Sequence, residues 1–358
     1  GFVPTGTFGE EGAIYIKVKS VTDTLYKVAD IFYNHPNVGI DKYLISGCYG
    51  RSSVSNILNY YLNKVSSCGS VGIFGINYLD KHLDITFPAL TPLENLKVLD
   101  NFKTNNIKNA TFETSVISLF FKKLDVVKPE VFIYTNTSKY CSDYKVCNNS
   151  YFEYLRRYFY TLEDKTCVVF NSDDESFFEL NESVNNYVTY GKRNGSTYRI
   201  DNVVLNDNGS KFKLIYKESE YEISTKLLGM ANVYNIVSAI AALNVRGHDI
   251  QNIIDVIKDI NYVDGVMEKV DDEFNILVDC GYEIDSIKSI VEYARKNKKG
   301  KIIGIFGINY SDNDYRLKNI MQILEDNLDI LILTEDESSQ GEVMNILSKA
   351  DRFTKTKK

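Results

Sequence analysis

Residues with the types and spacing for chemistry gather between Ser46 and Ser53, in the run Ser-Gly-Cys-Tyr-Gly-Arg-Ser-Ser. The short apolar run Tyr43-Leu44-Ile45 precedes them, and Val54, Ile57, Leu58, Tyr61 and Leu62 follow at helical spacing, which predicts strand, glycine turn and helix in succession. That succession is the setting of a phosphate-binding loop. In such a loop the glycines let backbone N–H groups wrap an anion at a helix N-terminus, a lysine neutralises the β and γ phosphates, and a Ser or Thr hydroxyl holds magnesium. Gly47, Gly50, Ser52 and Ser53 suit those roles, but Arg51 stands where the lysine belongs. Arginine keeps the charge in a planar, forked and bulkier form, a poor replacement for a compact ammonium under a loop. A plain glycine turn carrying an exposed arginine explains the same residues equally well.

The other reactive side chains are dispersed. Cys48, Cys68, Cys141, Cys147, Cys167 and Cys280 include no Cys-x-x-Cys pair, and His35, His82 and His248 lie far apart, so no zinc site is expected. Scattered reduced thiols suit a cytoplasmic address. A net charge of -7 and a pI near 5.3 leave no footprint for nucleic acid or an anionic membrane, and no run of about 20 apolar residues predicts a membrane span. Small molecules and proteins are the expected partners.

The chain needs elements to position the loop, and its pattern supplies them. With 358 residues and 44% apolar composition, two or three domains are expected. Short β-branched runs alternate with helical patterns: Tyr43 to Ile45 before Ser52 to Leu62, Val131 to Thr135 before Tyr151 to Phe159, Ile276 to Asp279 before Ser286 to Arg295, and Lys301 to Phe306 before Leu317 to Leu324. This predicts an α/β fold with a largely parallel sheet. Tyr187 to Ser224, with turn signals at Gly191, Gly195 and Asp207-Asn208-Gly209, predicts a small antiparallel meander, and Val233 to Leu243 a buried helix. A second α/β unit is placed after Asp264-Gly265. Gly-Ile-Phe-Gly-Ile-Asn-Tyr occurs at Gly72 to Tyr78 and again at Gly304 to Tyr310, and both copies read as a buried strand ending in a glycine turn.

Read together, these segments resemble the Mur ligase family, in particular its tripeptide synthetases. Phe32-Tyr33-Asn34-His35-Pro36 before the loop resembles a helix ending in Phe-Tyr-x-His-Pro, and Ser46 to Ser52 resembles Thr-Gly-Thr-Asn-Gly-Lys-Thr. Gly75 to Tyr78 with Thr86-Phe87-Pro88, Phe112-Glu113-Thr114-Ser115, Thr135-Asn136 through Asp143-Tyr144, and Tyr151-Phe152 follow in family order. Gly229 to Asn235, Gly265 to Glu268 and Val278-Asp279 continue it, over about Thr22 to Glu342. The resemblance implies a central P-loop ATPase domain with a parallel sheet and a small antiparallel meander, then a second, Rossmann-like α/β domain. It divides the chain into 1–41, a remnant of a uridine-binding domain, 42–263, the ATP-binding domain, and 264–358, an incomplete C-terminal domain.

The family's chemistry, phosphorylation of a peptide carboxylate by ATP followed by attack of an amine, allows each part to be checked. The resemblance implies ATP and Mg2+ as cofactors, with Ser52 and Glu113 as ligands of one magnesium ion, although Glu113 also fits a plain strand-end carboxylate. Asn232 and Asn235 match adenine-side asparagines, or else cap the buried helix, and Asp279 matches a ribose-side carboxylate. Thr86 and Asp336 are the substrate-side candidates. Against these stand losses. A second metal ion needs a histidine and a CO2-carbamylated lysine, where this chain has Cys141 and Leu155, and Leu155 also reads as core. Family arginines are replaced by Met230 and Val266, a histidine by Tyr282, and the arginine-bearing carboxylate-recognition motif by Asp336-Glu337-Ser338-Ser339. The expectation is a catalytically inactive relative, binding ATP weakly or not at all, that acts as a binding or scaffolding protein for a protein partner in cell-wall synthesis. The alternatives are an ATP-dependent amide ligase acting on a UDP-muramyl peptide, and a regulator that holds a nucleotide or UDP-sugar.

Overall fold

The computed structural model describes residues 2–3, 16–85, 89–138, 150–271, 275–281, 283–308, 314–335 and 343–354. Two-residue strands β1 (Phe2–Val3) and β2 (Ile16–Lys17) pair with each other and precede helix α1 (Val21–Phe32), which Ser20 caps by accepting from Asp23 N. The chain then enters an eleven-stranded sheet ordered β13-β12-β11-β10-β9-β8-β3-β7-β4-β5-β6. Its strands are β3 (Asp41–Ser46), β4 (Cys68–Gly72), β5 (Gly75–Tyr78), β6 (Lys81–Leu83), β7 (Asn109–Glu113), β8 (Val131–Tyr134), β9 (Cys167–Asn171), β10 (Tyr187–Gly191), β11 (Tyr198–Asn206), β12 (Gly209–Tyr216) and β13 (Ser219–Thr225). From β4 through β11 all neighbours are parallel, and both flanks are antiparallel.

Helices cover both faces, as a parallel sheet requires. Strand alternation sorts the core: Tyr43 and Ile45 of β3 face one cluster with α2 (Arg51–Val65), α7 (Gly229–Val245) and α8 (Ile250–Ile257), while Leu44 faces the other with α3 (Pro92–Thr104), α4 (Val116–Phe120) and α5 (Tyr151–Phe159). Helix α3 starts on a full capping box, Thr91 with Glu94, with proline at its first position. A short helix, α6 (Ser176–Leu180), follows β9. No helix among the described residues is long and apolar enough to cross a membrane.

Two sequence expectations change. Tyr187–Gly191 is not part of the meander: it pairs in parallel with β9, Tyr187 opposite Val168, and leaves the meander to β11, β12 and β13, which extend the same sheet. The two copies of Gly-Ile-Phe-Gly-Ile-Asn-Tyr also differ. In the first, Ile73-Phe74 is the turn of a β4–β5 hairpin, with Gly72 opposite Gly75, whereas in the second, Gly304 to Ile308 lies inside strand β16 (Ile303–Ile308). Antiparallel partners are available to the first copy and a parallel partner to the second, and pairing outweighs local preference.

After Asp264-Gly265, where Gly265 takes φ +61°, comes a hairpin of β14 (Glu268–Asp271) and β15 (Ile276–Val278). Strand β16 pairs in parallel with β17 (Ile330–Glu335), and α9 (Ile284–Lys296), α10 (Asp314–Asn327) and α11 (Val343–Asp351) accompany them. Ile284, Ile287, Val291, Ile320 and Leu324 form one core cluster of this unit and Ile308, Leu317, Met321 and Ala350 another, both separate from the two cores of the large sheet.

Candidate functional site

The loop of residues 46 to 50 leaves the carboxyl end of the central strand β3 and opens α2. Two glycines set its path. Gly47 has φ +133°, and a Cβ there would lie 2.1 Å from Thr135 Oγ1; Gly50 has φ +84° and caps α2, and a Cβ there would lie 2.6 Å from Asn235 Oδ1. Close approach to the end of β8 and to the first turns of α7 therefore demands glycine. The loop is then bonded to its surroundings. Cys48 N donates to Asn136 O at 3.1 Å, Tyr49 N to Asn136 Oδ1 at 3.0 Å, and Asn136 Nδ2 and Thr135 Oγ1 donate to Tyr49 O at 2.9 and 2.8 Å. Ser53 is buried in the first turn of α2.

The loop's polar side chains are also engaged by the protein. Arg51 Nη1 donates to Gly47 O, four residues back, at 2.5 Å. Ser52 Oγ donates to Glu113 Oε2 at 2.6 Å from the end of β7. Ile73 N–H also binds Glu113, and a Cβ on Gly72 would lie 2.1 Å from Glu113 Oε1, so a glycine admits that carboxylate. Burial raises the Glu113 pKa above the usual carboxylate range, and the Ser52 hydroxyl, the Arg51 charge and the Ile73 N–H pull it back only in part.

Asn232 and Asn235 are buried inside α7, and neither is its cap, which is Leu228. Asn232 Nδ2 donates to Leu228 O at 2.9 Å and Asn235 Nδ2 to Asn232 Oδ1 at 3.3 Å, so the pair bonds within the start of α7, with Asn235 Oδ1 close against Gly50. Asp279 accepts from Met267 N at 2.8 Å and Gly281 N at 2.5 Å, and burial raises its pKa. Met230 and Val266 are half-buried against the core. Thr86, Cys141, Tyr282 and Asp336 lie outside the described residues.

Leu155 is 0% exposed and sits on the core face of α5 with Tyr151, Tyr158 and Phe159. Beside it, phenols and a thiol fill the space between α5 and the loop: Tyr134 OH lies 2.5 Å from Thr137 Oγ1 and 3.1 Å from Tyr151 OH, which lies 3.7 Å from Cys48 Sγ. Burial pushes the Tyr134 phenol well above its ordinary pKa, so that phenol is neutral. One magnesium ion fits the donor set, because Ser52 and Glu113 supply a hydroxyl and a carboxylate of the hard-oxygen kind. A second ion does not fit, because Leu155 has no donor atom. No group of three or more His, Cys, Asp or Glu suited to a metal ion occurs among the described residues.

Sequence reasoning missed the loop-holding roles of Thr135 and Asn136, the hydrogen bond from Asn235 to Asn232, and a hydrogen bond from Ser138 Oγ to Asp285 Oδ2 that joins residues 147 apart. A polar residue following a strand was the only local signal for the first.

Comparison with known proteins agrees with this arrangement. The chain is 27% identical over 362 residues to the UDP-N-acetylmuramoyl-L-alanyl-D-glutamate--2,6-diaminopimelate ligase of Clostridioides difficile (strain 630), covering 96% of this chain and 72% of that protein. Among solved structures, a UDP-N-acetylmuramoyl-L-alanyl-D-glutamate--2,6-diaminopimelate ligase superposes with a TM-score of 0.70 at 18% identity, over 96% of this chain and 72% of the other. The Mycobacterium tuberculosis folylpolyglutamate synthase complexed with ADP and AMPPCP superposes with a TM-score of 0.74 at 12% identity, over 92% and 83%. The Mur ligase middle domain matches residues 45–243, more than half of the sequence and the whole span from the loop through the buried helix, and the chain belongs to the Mur ligase family.

Proposed function

We propose that this chain is a Mur ligase relative withdrawn from catalysis, which binds or scaffolds a partner in cell-wall synthesis without turning over ATP. Leu155 carries this reading: by the resemblance of the run from Tyr151-Phe152 it matches the family's metal-bearing lysine, and it is a fully buried leucine. Acyl-phosphate formation needs the transferring phosphoryl held by metal ions and cations, and those charges act together. Here Arg51 bonds the loop's own carbonyl, Ser52 and Glu113 bond each other, and Met230 and Val266 carry no charge. The names of the relatives make a UDP-muramyl peptide the small-molecule class to test. The domains 1–41, 42–263 and 264–358 and a cytoplasmic setting belong to this proposal and rest on the sequence resemblance.

Titration calorimetry with ATP and magnesium tests the nucleotide end. Hydrogen bonds to charged groups contribute about 1.5 to 3 kcal/mol each, so losing two weakens binding on the order of a hundredfold or more relative to an intact member. Sub-micromolar binding would overturn the reading. The retained Ser52–Glu113 pair favours one second reading, a nucleotide-holding regulator with a single magnesium ion, for which measurable binding without phosphate release is the expected result.

Restoring the lysine alone, Arg51→Lys, is expected to yield no ligase activity. Catalytic groups that act as a unit are not recovered one at a time. The assay uses ATP, magnesium, a UDP-muramyl dipeptide and mixed amino acids beside the unmodified protein. Amino-acid-dependent ADP release by the variant, absent without the muramyl substrate, would show a one-step loss in place of a dismantled site.

A further inference from the structure

The C-terminal unit touches the large sheet at two places along a single helix. At the start of α9, Ser138 Oγ donates to Asp285 Oδ2, and Ser138 N donates in turn to Cys48 Sγ at 3.2 Å, within the loop. Two turns further on, Tyr293 OH donates to Asn206 O at 3.4 Å, and beyond the helix Lys299 Nζ lies 3.5 Å from Asp207 Oδ2. Ser138 follows β8 and Asn206 ends β11, and both mark the carboxyl edge of the sheet, because β8, β9, β10 and β11 run parallel. From Asp285 to Tyr293 a helix rises about 12 Å, and three strand spacings, β8 to β11, come to about 14 Å. The helix is the length of the gap it crosses. It also touches α7, whose Asn235 lies close against Gly50.

We infer that α9 is a strap, laid across the carboxyl edge from β8 to β11 and anchored to the loop through Asp285, Ser138 and Cys48, which holds the C-terminal unit on the sheet through the chain's own contacts. The strap is independent of whether the site turns over ATP, since it concerns only how the two units are held. Of its anchors, Asp285–Ser138 is the one that reaches the loop. The Lys299–Asp207 pair joins an 83%-exposed side chain to one 45% exposed and contributes little.

Amide hydrogen exchange on the full chain tests this. Asp285→Ala and Ser138→Ala, altering opposite sides of one contact, are each expected to speed exchange about tenfold at both Cys48–Tyr49 and the first turn of α9, while amides within β3 and β8 stay protected. Asp285→Asn, which keeps an acceptor for the Ser138 hydroxyl, is expected to restore protection, which separates the contact from the effect of a carboxylate on the helix terminus. The radius of gyration of the unmodified protein in solution is expected to be the same with and without ATP and magnesium. If Asp285→Ala loosens only α9 and leaves Cys48 and Tyr49 unchanged, or if the unmodified protein contracts on adding ATP and magnesium, there is no such strap. Should Asp285→Ala lose the protection of β3 and β8, Ser138→Ala decides alone, since it leaves α9 intact.

Discussion

Leu155→Lys is expected to destabilise the chain by about 4 kcal/mol or more, out of a typical total of 5 to 15, and to confer no ligase activity. Leu155 is 0% exposed, mid-helix in α5, and faces the core formed with Tyr151, Tyr158, Phe159 and the α4 residues Val116 and Leu119. An ammonium there loses its water inside an apolar cluster of the described residues. One turn earlier on the helix, the Tyr151 hydroxyl is already engaged with Tyr134 OH and Cys48 Sγ. The introduced lysine must therefore fold neutral, with its pKa below the unfolded value of about 10.4. Between those two pKa values the unfolded state binds more protons than the folded one, so stability rises with pH there, and the deficit narrows as pH approaches about 10. Leu155→Met keeps volume and apolarity and is expected to cost less than about 1.5 kcal/mol. Urea unfolding of both variants at pH 7 and pH 10, each against the unmodified protein at the same pH, checks the sign. A lysine variant as stable as the leucine chain at pH 7, and stabilised further by bicarbonate, would mean that the family's carbamate site persists and that the proposed function is wrong.

Much of the large sheet was legible because burial writes a period into the sequence. Val54, Ile57, Leu58, Tyr61 and Leu62 are spaced for a helix and pack as one on the sheet, and Leu155 read as core from the spacing of its aromatic neighbours and is core. What the chain could not disclose locally was pairing. Gly-Ile-Phe-Gly-Ile contains a hairpin turn at residues 72–76 and lies within a strand at residues 304–308, so those residues carry no fixed conformation of their own. Tyr187 to Gly191 looked like its meander neighbours, but a free edge on β9 recruited it in parallel.

At the site, residue types were legible and their partners were not. Ser52 and Glu113 are 61 positions apart, and Asn232 and Asn235 read as nucleotide contacts or caps until their amides are seen bonded within α7. A polar side chain proclaims a capacity for hydrogen bonding, but only the fold decides whether a ligand or the protein satisfies it. Here the protein satisfies Arg51, Ser52, Asn232 and Asp279 itself. The loop makes these contacts within the protein, and its stability should depend on them.

Gly47→Ala tests that dependence and is expected to cost about 3 kcal/mol or more, the sum of backbone strain of about 1 to 3 kcal/mol and crowding of similar size. Gly47 holds φ +133°, where side chains other than hydrogen are strained, and its Cβ would fall 2.1 Å from Thr135 Oγ1 and 3.0 Å from Asn136 N. The hydroxyl cannot simply turn away, because it donates to Tyr49 O at 2.8 Å, and Asn136 is backbone at the end of a central strand. Gly39→Ala supplies the comparison: its φ is +85° with nothing within 4 Å of the added Cβ, so it carries strain without crowding and is expected to cost only about 1 kcal/mol. Combining Gly47→Ala with Thr135→Ala removes the nearest clash, and the double variant should be more stable than the sum of the two single changes predicts, a coupling of about 1 kcal/mol or more. Urea midpoints for the four variants measure both differences. Equal losses for Gly47→Ala and Gly39→Ala, or strict additivity with Thr135→Ala, would mean that the loop stands clear of β8, and that its shape is held by something other than the contacts between Gly47, Thr135 and Asn136.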